Sequence, residues 1–298
     1  MTTLAEATAT VAPTRARSLP LFDTTRAELR RILRWPATWV LAGVWLSLNA
    51  LFGYVFDWIS YHTGDATGPS GAGVQLSSLL PAAIPDRFAD GMPMFGGAIV
   101  MILGALAVGS GYGWGTWKTV YTQGPSRAAS FGGTLVALLV LVAGLVLVTV
   151  GLDLGLSALV AAVEGGSAAL PAFGPLATSY GGGVLILGMW AAGGVLLGVL
   201  ARGPALAVGL GLVWSLVVEN LLRGVANALS AIEGVTNRMP GSSAGSVAGA
   251  LGGADVADGG APGVLHVLSG PVAAGMTAGY LVIFVAVALA LVTRRDLL

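Results

Sequence analysis

The stretch FGGTLVALLVLVAGLVLVTVGL, residues Phe131 to Leu152, decides the fold because it is apolar throughout and holds no charged side chain. Its apolar residues run on without the alternation that a membrane β-strand requires. At 1.5 Å per residue, a helix of about 20 residues crosses the ~30 Å hydrocarbon core of a bilayer. A helix also satisfies its own backbone hydrogen bonds, which lipid cannot do. This stretch therefore predicts a membrane-spanning helix.

Five further apolar stretches lie on either side of it, and the composition of the whole chain agrees with this pattern. Of the 298 residues, 55% are hydrophobic and only 9% are charged, and the mean hydropathy is +0.85. A soluble domain carries about 25% charged residues, which keep its surface wetted. We therefore predict an all-α integral membrane protein with six transmembrane helices. The predicted spans are residues 37–58, 92–111, 129–152, 178–201, 204–222 and 271–293.

These spans form one predicted transmembrane domain, residues 23–298, which follows a disordered cytoplasmic tail, residues 1–22. The segment 223–270 is rich in Gly, Ala and Ser. Its composition is compatible with either flexible coil or short re-entrant helices. The predicted connections are a cytoplasmic loop, 112–128, and three long outer loops, 59–91, 153–177 and 223–270.

A basic amphipathic helix is predicted over residues 23–36, ahead of the first span. The sequence DTTRAELRRILRW begins with Asp23, a good N-cap residue, and ends at Trp35 before Pro36, which breaks a helix. Its Leu and Ile residues share one face and its arginines occupy much of the rest. Such a helix is typical of the membrane interface.

The distribution of basic residues predicts that both chain ends lie in the cytoplasm. If the N-terminus is inside, the inside segments carry all but three of the fourteen Lys and Arg residues, and the exceptions are Arg87, Arg223 and Arg238. The opposite orientation would reverse this bias. The positive-inside rule therefore favours an N-in, C-in arrangement in the cell membrane.

The sequence indicates no metal, redox or nucleotide site within this chain. There is no cysteine, and the two histidines, His62 and His266, have no cluster of carboxylates around them. A P-loop requires glycines six residues and one residue before its lysine, but Tyr112 and Trp117 stand at those positions before Lys118. We therefore expect no cofactor to be bound by this chain.

The segment GSGYGWGTWKTVYTQGPSRAAS, Gly109 to Ser130, is polar and rich in glycine, and a short helix is predicted near its centre. Together with the order of the other segments, it resembles the ABC-2 type permeases, the membrane subunits of a class of ATP-driven transporters. Many members carry an acidic residue before the Gly-Thr step, where this chain has Ser110 to Trp114. The matching residues are Glu28, Leu29, Arg31, Trp35, Gly115, Thr116, Lys118, Pro125, Ser126, Arg127, Arg294, Arg295 and Asp296.

The resemblance implies a function as a permease subunit, not an enzyme. It implies that two permease copies pair in the bilayer and that two copies of a separate ABC ATPase, which bind ATP and Mg, attach to their cytoplasmic side. It implies export of an amphipathic small molecule, lipid or peptide, and no nucleic-acid partner. The residues implied in coupling to the ATPase are Gly115, Thr116, Trp117, Lys118, Tyr121, Pro125, Arg127, Glu28, Arg30 and Arg31. Their aromatic members would suit insertion into a cleft of the partner.

Polar and aromatic residues within the spans are candidates for a substrate path. These are Trp45, Asn49, Phe52, Glu219 and Asn220. For Asn49 the alternative is an ordinary hydrogen bond between helices, and for Glu219 a carboxylate at the membrane boundary. The Gly194–Gly198 and Gly275–Gly279 pairs would allow close helix packing, within one chain or between two.

Two other classes of function remain open. One is a membrane scaffold or sensor that transports nothing. The other is an intramembrane enzyme, but Ser110 and His266 are predicted at opposite membrane faces, and no predicted span holds paired carboxylates at its centre. We therefore expect no catalytic residue.

Overall fold

A computed structural model describes residues 21–64, 74–122, 126–226, 228–254 and 261–294 of the protein. Within these ranges every regular element is a helix. Six helices are long and apolar enough to cross a membrane, which confirms the predicted number. They are α2 (Pro36–Thr63), α5 (Met92–Gly113), α7 (Arg127–Glu164), α8 (Phe173–Ala201), α9 (Pro204–Ala226) and α12 (Gly270–Arg294).

Among the described residues, six shorter α-helices and one 3-10 turn, Pro81–Ala83, connect or cover the long helices. The first begins at Leu21, two residues before the position that we predicted, and residues 1–20 lie outside the described ranges. The short helices are α1 (Leu21–Leu33), α3 (Leu76–Leu79), α4 (Ile84–Arg87), α6 (Thr116–Thr122), α10 (Ser230–Thr236) and α11 (Pro240–Ala250).

The long helices extend beyond the predicted spans. Helix α7 continues to Glu164, because nothing after Leu152 breaks it before Gly165 adopts a left-handed conformation with φ 67°. The predicted outer loop 153–177 is therefore mostly helical, since α8 already begins at Phe173. Helix α2 likewise runs past residue 58 and ends at Thr63, because Gly64 adopts a left-handed conformation with φ 63°.

Helices α5 and α8 form the buried centre of the bundle, and glycine makes their contact possible. A side chain at Gly104 would overlap the carbonyl of Ala191, and one at Gly194 would overlap the carbonyl of Met101. Gly198 packs against α5 in the same way. The Gly194–Gly198 pair thus allows two helices of the same chain to pack closely. A side chain at Gly275 or Gly279, in contrast, would meet open space.

One hydrophobic cluster defines what we call the proximal end of the bundle. It joins Ile32 of α1, Trp117 of α6, Phe131 of α7, Val199 of α8 and Val292 of α12. The first described helix, the last one and the α5–α7 connection therefore lie together. A second cluster, at the distal end, joins Ile84 and Phe88 to residues of α11 and α12.

The distal end contains a short helix that is enclosed by protein. All residues of α11 from Pro240 to Gly249 are buried. At 1.5 Å per residue this helix is about 16 Å long, too short to cross a bilayer. The backbone N–H of Leu265 donates to the carbonyl of Gly245, 3.1 Å away, and holds the following segment against it. Of the two alternatives for residues 223–270, the described part therefore contains short helices.

Candidate functional site

Helix α6 is anchored to the proximal end by Trp117. This side chain is 5% exposed, and its Nε1 donates to the carbonyl of Val108 at 3.2 Å. Its ring stacks on Tyr121 at 5.4 Å and packs against Phe131. Gly111 leaves room for it, since a side chain there would contact the indole. Trp117 therefore packs against its own bundle, in contrast to the insertion into a partner that we expected.

The opposite face of the α5–α7 connection is exposed. Trp114 is 74% exposed, and Lys118, the only lysine of the chain, also lies at the surface. Gly115 adopts φ 68°, a conformation that glycine tolerates, and thereby turns the chain from α5 into α6. Thr116 is exposed as well.

Two further predicted coupling residues lie beside α6. The guanidinium of Arg127 lies 5.8 Å from the centre of the Tyr121 ring, and burial raises the pKa of the Tyr121 hydroxyl. Pro125 lies outside the described residues.

The inward face of α1 binds it to α7 and α5. The Thr24 hydroxyl donates to the carbonyl of Ala129 at 3.2 Å, and the Thr134 hydroxyl donates to Glu28 Oε2 at 3.1 Å. The same Glu28 oxygen accepts from Arg31 Nη2 at 2.6 Å, and this nitrogen also donates to the carbonyl of Ala107. Glu28 and Arg31 thus stabilise the position of α1 within this chain.

The outward face of α1 carries a row of exposed arginines. Arg26, Arg30 and Arg34 follow one another at intervals of four residues, which places them on one side of the helix. Arg30 is therefore the predicted coupling residue of α1 that remains available to a partner. The structure shows no ion pair for these three arginines among the described residues.

The exposed sides of α1 and α6 meet through two tryptophans. Trp114 lies edge-on to Trp35, with 6.3 Å between ring centres, and the Arg31 guanidinium lies 4.6 Å from the Trp35 ring. We call the exposed residues Arg30, Arg34, Trp114 and Lys118 the proximal surface.

Among the predicted substrate-path residues, those of α2 form hydrogen bonds with α7. Trp45 is 1% exposed, and its Nε1 donates to the Thr149 hydroxyl at 2.9 Å. One turn further on, Asn49 Nδ2 donates to Asp153 Oδ1 at 2.6 Å. Asn49 thus makes the interhelical hydrogen bond that was its alternative interpretation. Phe52, in contrast, is half-exposed and stacks on Phe95 of α5.

A second polar group surrounds Arg87, which sequence reasoning treated only as a basic residue outside the membrane. Arg87 pairs with Asp57 and with the carbonyl of Gly53, and its Nη1 donates to the carbonyl of Ser78 at 2.8 Å. Gly53 lies in a π-helical turn, Leu51–Val55, and such turns loosen the regular backbone pairing. Arg87 therefore joins α2 to the segment before α5.

Asp90 lies beyond this ion pair, just before α5. Its Oδ1 is buried without a hydrogen-bond partner, and burial raises the pKa of this carboxyl to about 7. The Arg87 guanidinium opposes this effect but does not cancel it.

The predicted residues of α9 lie in a different environment. Glu219 is 1% exposed, and its Oε1 accepts from Trp214 Nε1 at 2.8 Å. Asn220 Nδ2 donates to the carbonyl of Leu216, and Asn220 Oδ1 accepts from Arg223 at 2.6 Å. Within the described ranges, no hydrogen bond joins these residues to Trp45 or Asn49.

His62 lies beside a carboxylate of α7. His62 Nε2 lies 3.3 Å from Glu164 Oε1, which also accepts from Trp58. In the part of the chain that the structure describes, no three His, Asp or Glu side chains come together as ligands.

Comparison with models of protein families finds no match for this chain, and comparison with curated proteins finds no relative. The sequence pattern and the proximal surface are therefore the features that bear on function.

Proposed function

We propose that this protein is the permease subunit of an ABC-2 type transporter, and that a separate ATPase powers it from the cytoplasm. The observation that carries the proposal is the proximal surface. It combines the amphipathic helix and the short loop helix whose residues resemble that family, and it presents aromatic and cationic side chains outward. In this assignment the proximal end faces the cytoplasm, as the positive-inside rule predicts.

The anchoring of α6 suggests how the ATPase would act on the bundle. Trp117 packs in the same cluster as Ile32, Phe131 and Val292. A displacement of α6 would therefore reach α1, α7 and α12 through packed side chains, which move as rigid bodies. In this mechanism Lys118 and Trp114 contact the ATPase, and Trp117 transmits its motion to the permease.

The assembly that follows has two permease copies and two ATPase copies. ATP and Mg are bound by the ATPase, because the only lysine of this chain lacks the glycines of a P-loop. Exposed apolar side chains on α2, α9 and α12 face lipid or the second permease copy. The exported molecule is amphipathic, and both chain ends lie in the cytoplasm.

Site-specific photocrosslinking in membranes of the native host tests the proposal. A photoreactive residue in place of Lys118 is expected to capture a P-loop ATPase, identified by mass spectrometry. The matched control places the same group at Arg238, an exposed residue of the distal end, and is expected to capture none. Capture of the ATPase from neither position, or from Arg238 alone, contradicts the proposal.

Reconstituted vesicles provide the functional arm of the test. Lys118→Glu is expected to weaken ATPase binding about tenfold, since it reverses a charge at the contact, and Lys118→Arg is expected to retain binding. Equal binding by wild type and Lys118→Glu would remove Lys118 from the contact.

A further inference from the structure

Helix α9 turns a row of small and polar residues toward the protein interior. The buried residues Ala207, Gly211, Ser215 and Glu219 follow one another at intervals of four. In a regular α-helix, four residues exceed one turn, so such a row drifts by about 40° at each step. A wider π-helical turn, Val213–Val218, covers the later part of this row. It opposes the drift and keeps Glu219 on the inward side.

The two oxygens of the Glu219 carboxylate have different surroundings. Its Oε1 accepts from Trp214, whereas its Oε2 is buried and has no hydrogen-bond partner. This free oxygen lies against Gly241 in the first turn of α11, where a side chain would overlap it. The helix N-terminus carries partial positive charge and favours the ionised carboxylate. The Gly241 backbone N–H thus interacts with this carboxylate, but Oε2 has no donor in full hydrogen-bond geometry.

Two buried hydroxyl groups at nearby positions of α9 and α11 also lack partners. Ser215 Oγ, one turn before Glu219, and Ser242 Oγ, the residue after Gly241, are buried without a hydrogen bond. The other serines of α11 are satisfied internally. Ser246 donates to the carbonyl of Ser242, and Ser243 donates to that of Arg238. Within α11, the unpartnered hydroxyl is therefore that of Ser242, the residue that follows Gly241.

The charges around Glu219 leave it without a direct counter-ion. Arg223 is the nearest cation on α9, but it donates to Asn220 and makes no ion pair with a described carboxylate within 4 Å. A buried carboxylate and buried hydroxyls that lack partners raise the energy of the empty state. A protonated amine offers three N–H donors, which match one carboxylate oxygen and two hydroxyl oxygens. An anion would be repelled, and a neutral molecule would leave the charge uncompensated.

We propose that Glu219, Ser215 and Ser242 form an intramembrane site for the protonated primary amine of an amphipathic molecule. Its role in export rests on the proposed function, and it then makes cationic amphiphiles the substrate class of the transporter. The same amine could come from a soluble amphiphile or from the ethanolamine headgroup of a lipid.

Fluorescence polarisation with a matched pair of probes tests this site in the full-length protein. Dansylcadaverine carries a protonated primary amine, and in its N-acetyl derivative a neutral amide replaces that amine. In nanodiscs of phosphatidylcholine, the amine is expected to bind about tenfold more tightly than the acetylated probe. Equal binding of the two probes by the wild type would overturn the proposal.

Variants then assign the effect to the site. Glu219→Gln is expected to abolish the preference for the amine, Glu219→Asp to keep part of it, and Ser242→Ala to weaken amine binding several-fold. Arg223→Gln is expected to strengthen amine binding, because it removes a competing cation. The control Glu233→Gln changes an exposed carboxylate of the same segment and is expected to leave binding unchanged. A Glu219→Gln protein that unfolds like the wild type and still prefers the amine contradicts the proposal.

A last arm separates the two sources of the amine and the two proposals. Phosphatidylethanolamine in the nanodisc competes with the probe if the site takes a lipid headgroup, and it leaves probe binding unchanged if the site takes a soluble amphiphile. Both of these results apply only when the wild type already prefers the amine probe, which is the evidence for the site. Amine binding without ATPase capture at Lys118 would reject the proposed function alone, and ATPase capture without an amine preference would reject this site alone.

Discussion

The two ends of the bundle differ in where their charged side chains lie. At the proximal end, Arg26, Arg30, Arg34 and Lys118 point outward, and the polar contacts of α1 lie at the edge of the bundle. Toward the distal end, charged groups lie inside, where Asp57 pairs with Arg87 and Asp153 with Asn49. The proximal end therefore offers charge to a partner, and the distal half uses charge within the chain.

The difference indicates what each region is built to do. Exposed cations cost little to maintain in water and are suited to binding a protein partner. Buried charges require partners at fixed positions, and within a membrane they usually belong to a functional site. Substitutions of matched residues at the two ends should therefore have very different effects on stability.

The largest expected effect is at Arg87. Arg87→Met leaves Asp57 buried without its cation and should lower the free energy of unfolding by about 4 kcal/mol. The matched proximal change, Arg30→Met, should alter it by less than about 0.5 kcal/mol. Denaturant unfolding in mixed micelles measures both. The double variant Arg87→Met, Asp57→Asn should recover most of the lost stability. If Arg87→Met costs no more stability than Arg30→Met, the two ends of the bundle do not differ in this respect.

The next effect compares two tryptophans of the same connection. Trp117→Ala removes a buried ring and should cost about 3 kcal/mol of stability, whereas Trp114→Ala should cost less than about 0.5 kcal/mol. In vesicles with the ATPase, Trp114→Ala should reduce coupled ATP turnover although the permease stays folded. Thermal unfolding and ATPase assays on the same samples measure the two effects. A stable Trp117→Ala protein would mean that α6 does not depend on this anchor.

The six spanning helices were predictable from the sequence because each is a long apolar run with few charges. The ends of these helices were less predictable. Asp153 marked the predicted boundary of the third span, yet it lies inside α7, because Asn49 on the neighbouring helix satisfies it. A polar residue ends a span only where it reaches water, and that depends on the partner helix rather than on the local sequence.

The site was predictable only in part, for the same reason. An aromatic residue in a polar loop indicates a partner contact, but the sequence cannot show that Gly111 leaves space for Trp117 beside Val108. The free serines next to Glu219 were missed as well, because α11 lies in a segment that could also have been coil. A pattern did exist for the α2–α7 contact. Trp45 and Asn49 are spaced like Thr149 and Asp153, which is the register expected of parallel helices.

A smaller effect follows from the pH dependence of Asp90. Because the pKa of this carboxyl rises from 3.8 in the unfolded chain to about 7 in the folded one, the folded state binds its proton more tightly. Its contribution to stability is therefore fully present below about pH 4 and is lost as pH rises toward 7. Asp90→Asn should be about 1–2 kcal/mol more stable than the wild type at pH 8. Unfolding measured from pH 4 to 8 tests this, and parallel curves for the two proteins would contradict it.

The smallest effect is expected at two threonines of α7 that form hydrogen bonds with other helices. Thr149 accepts one from Trp45, and Thr134 donates one to Glu28. Thr149→Val removes the partner of Trp45 Nε1, which is enclosed, and should cost about 1 kcal/mol. Thr134→Val removes one of the hydrogen bonds to Glu28. Because Glu28 is partly exposed and still accepts a hydrogen bond from Arg31, the loss of stability should stay below about 0.5 kcal/mol. Both substitutions preserve shape, and denaturant unfolding resolves the difference. Equal costs would show that the polar contacts of α1 are as enclosed as those of the distal half, and that water does not reach the proximal end.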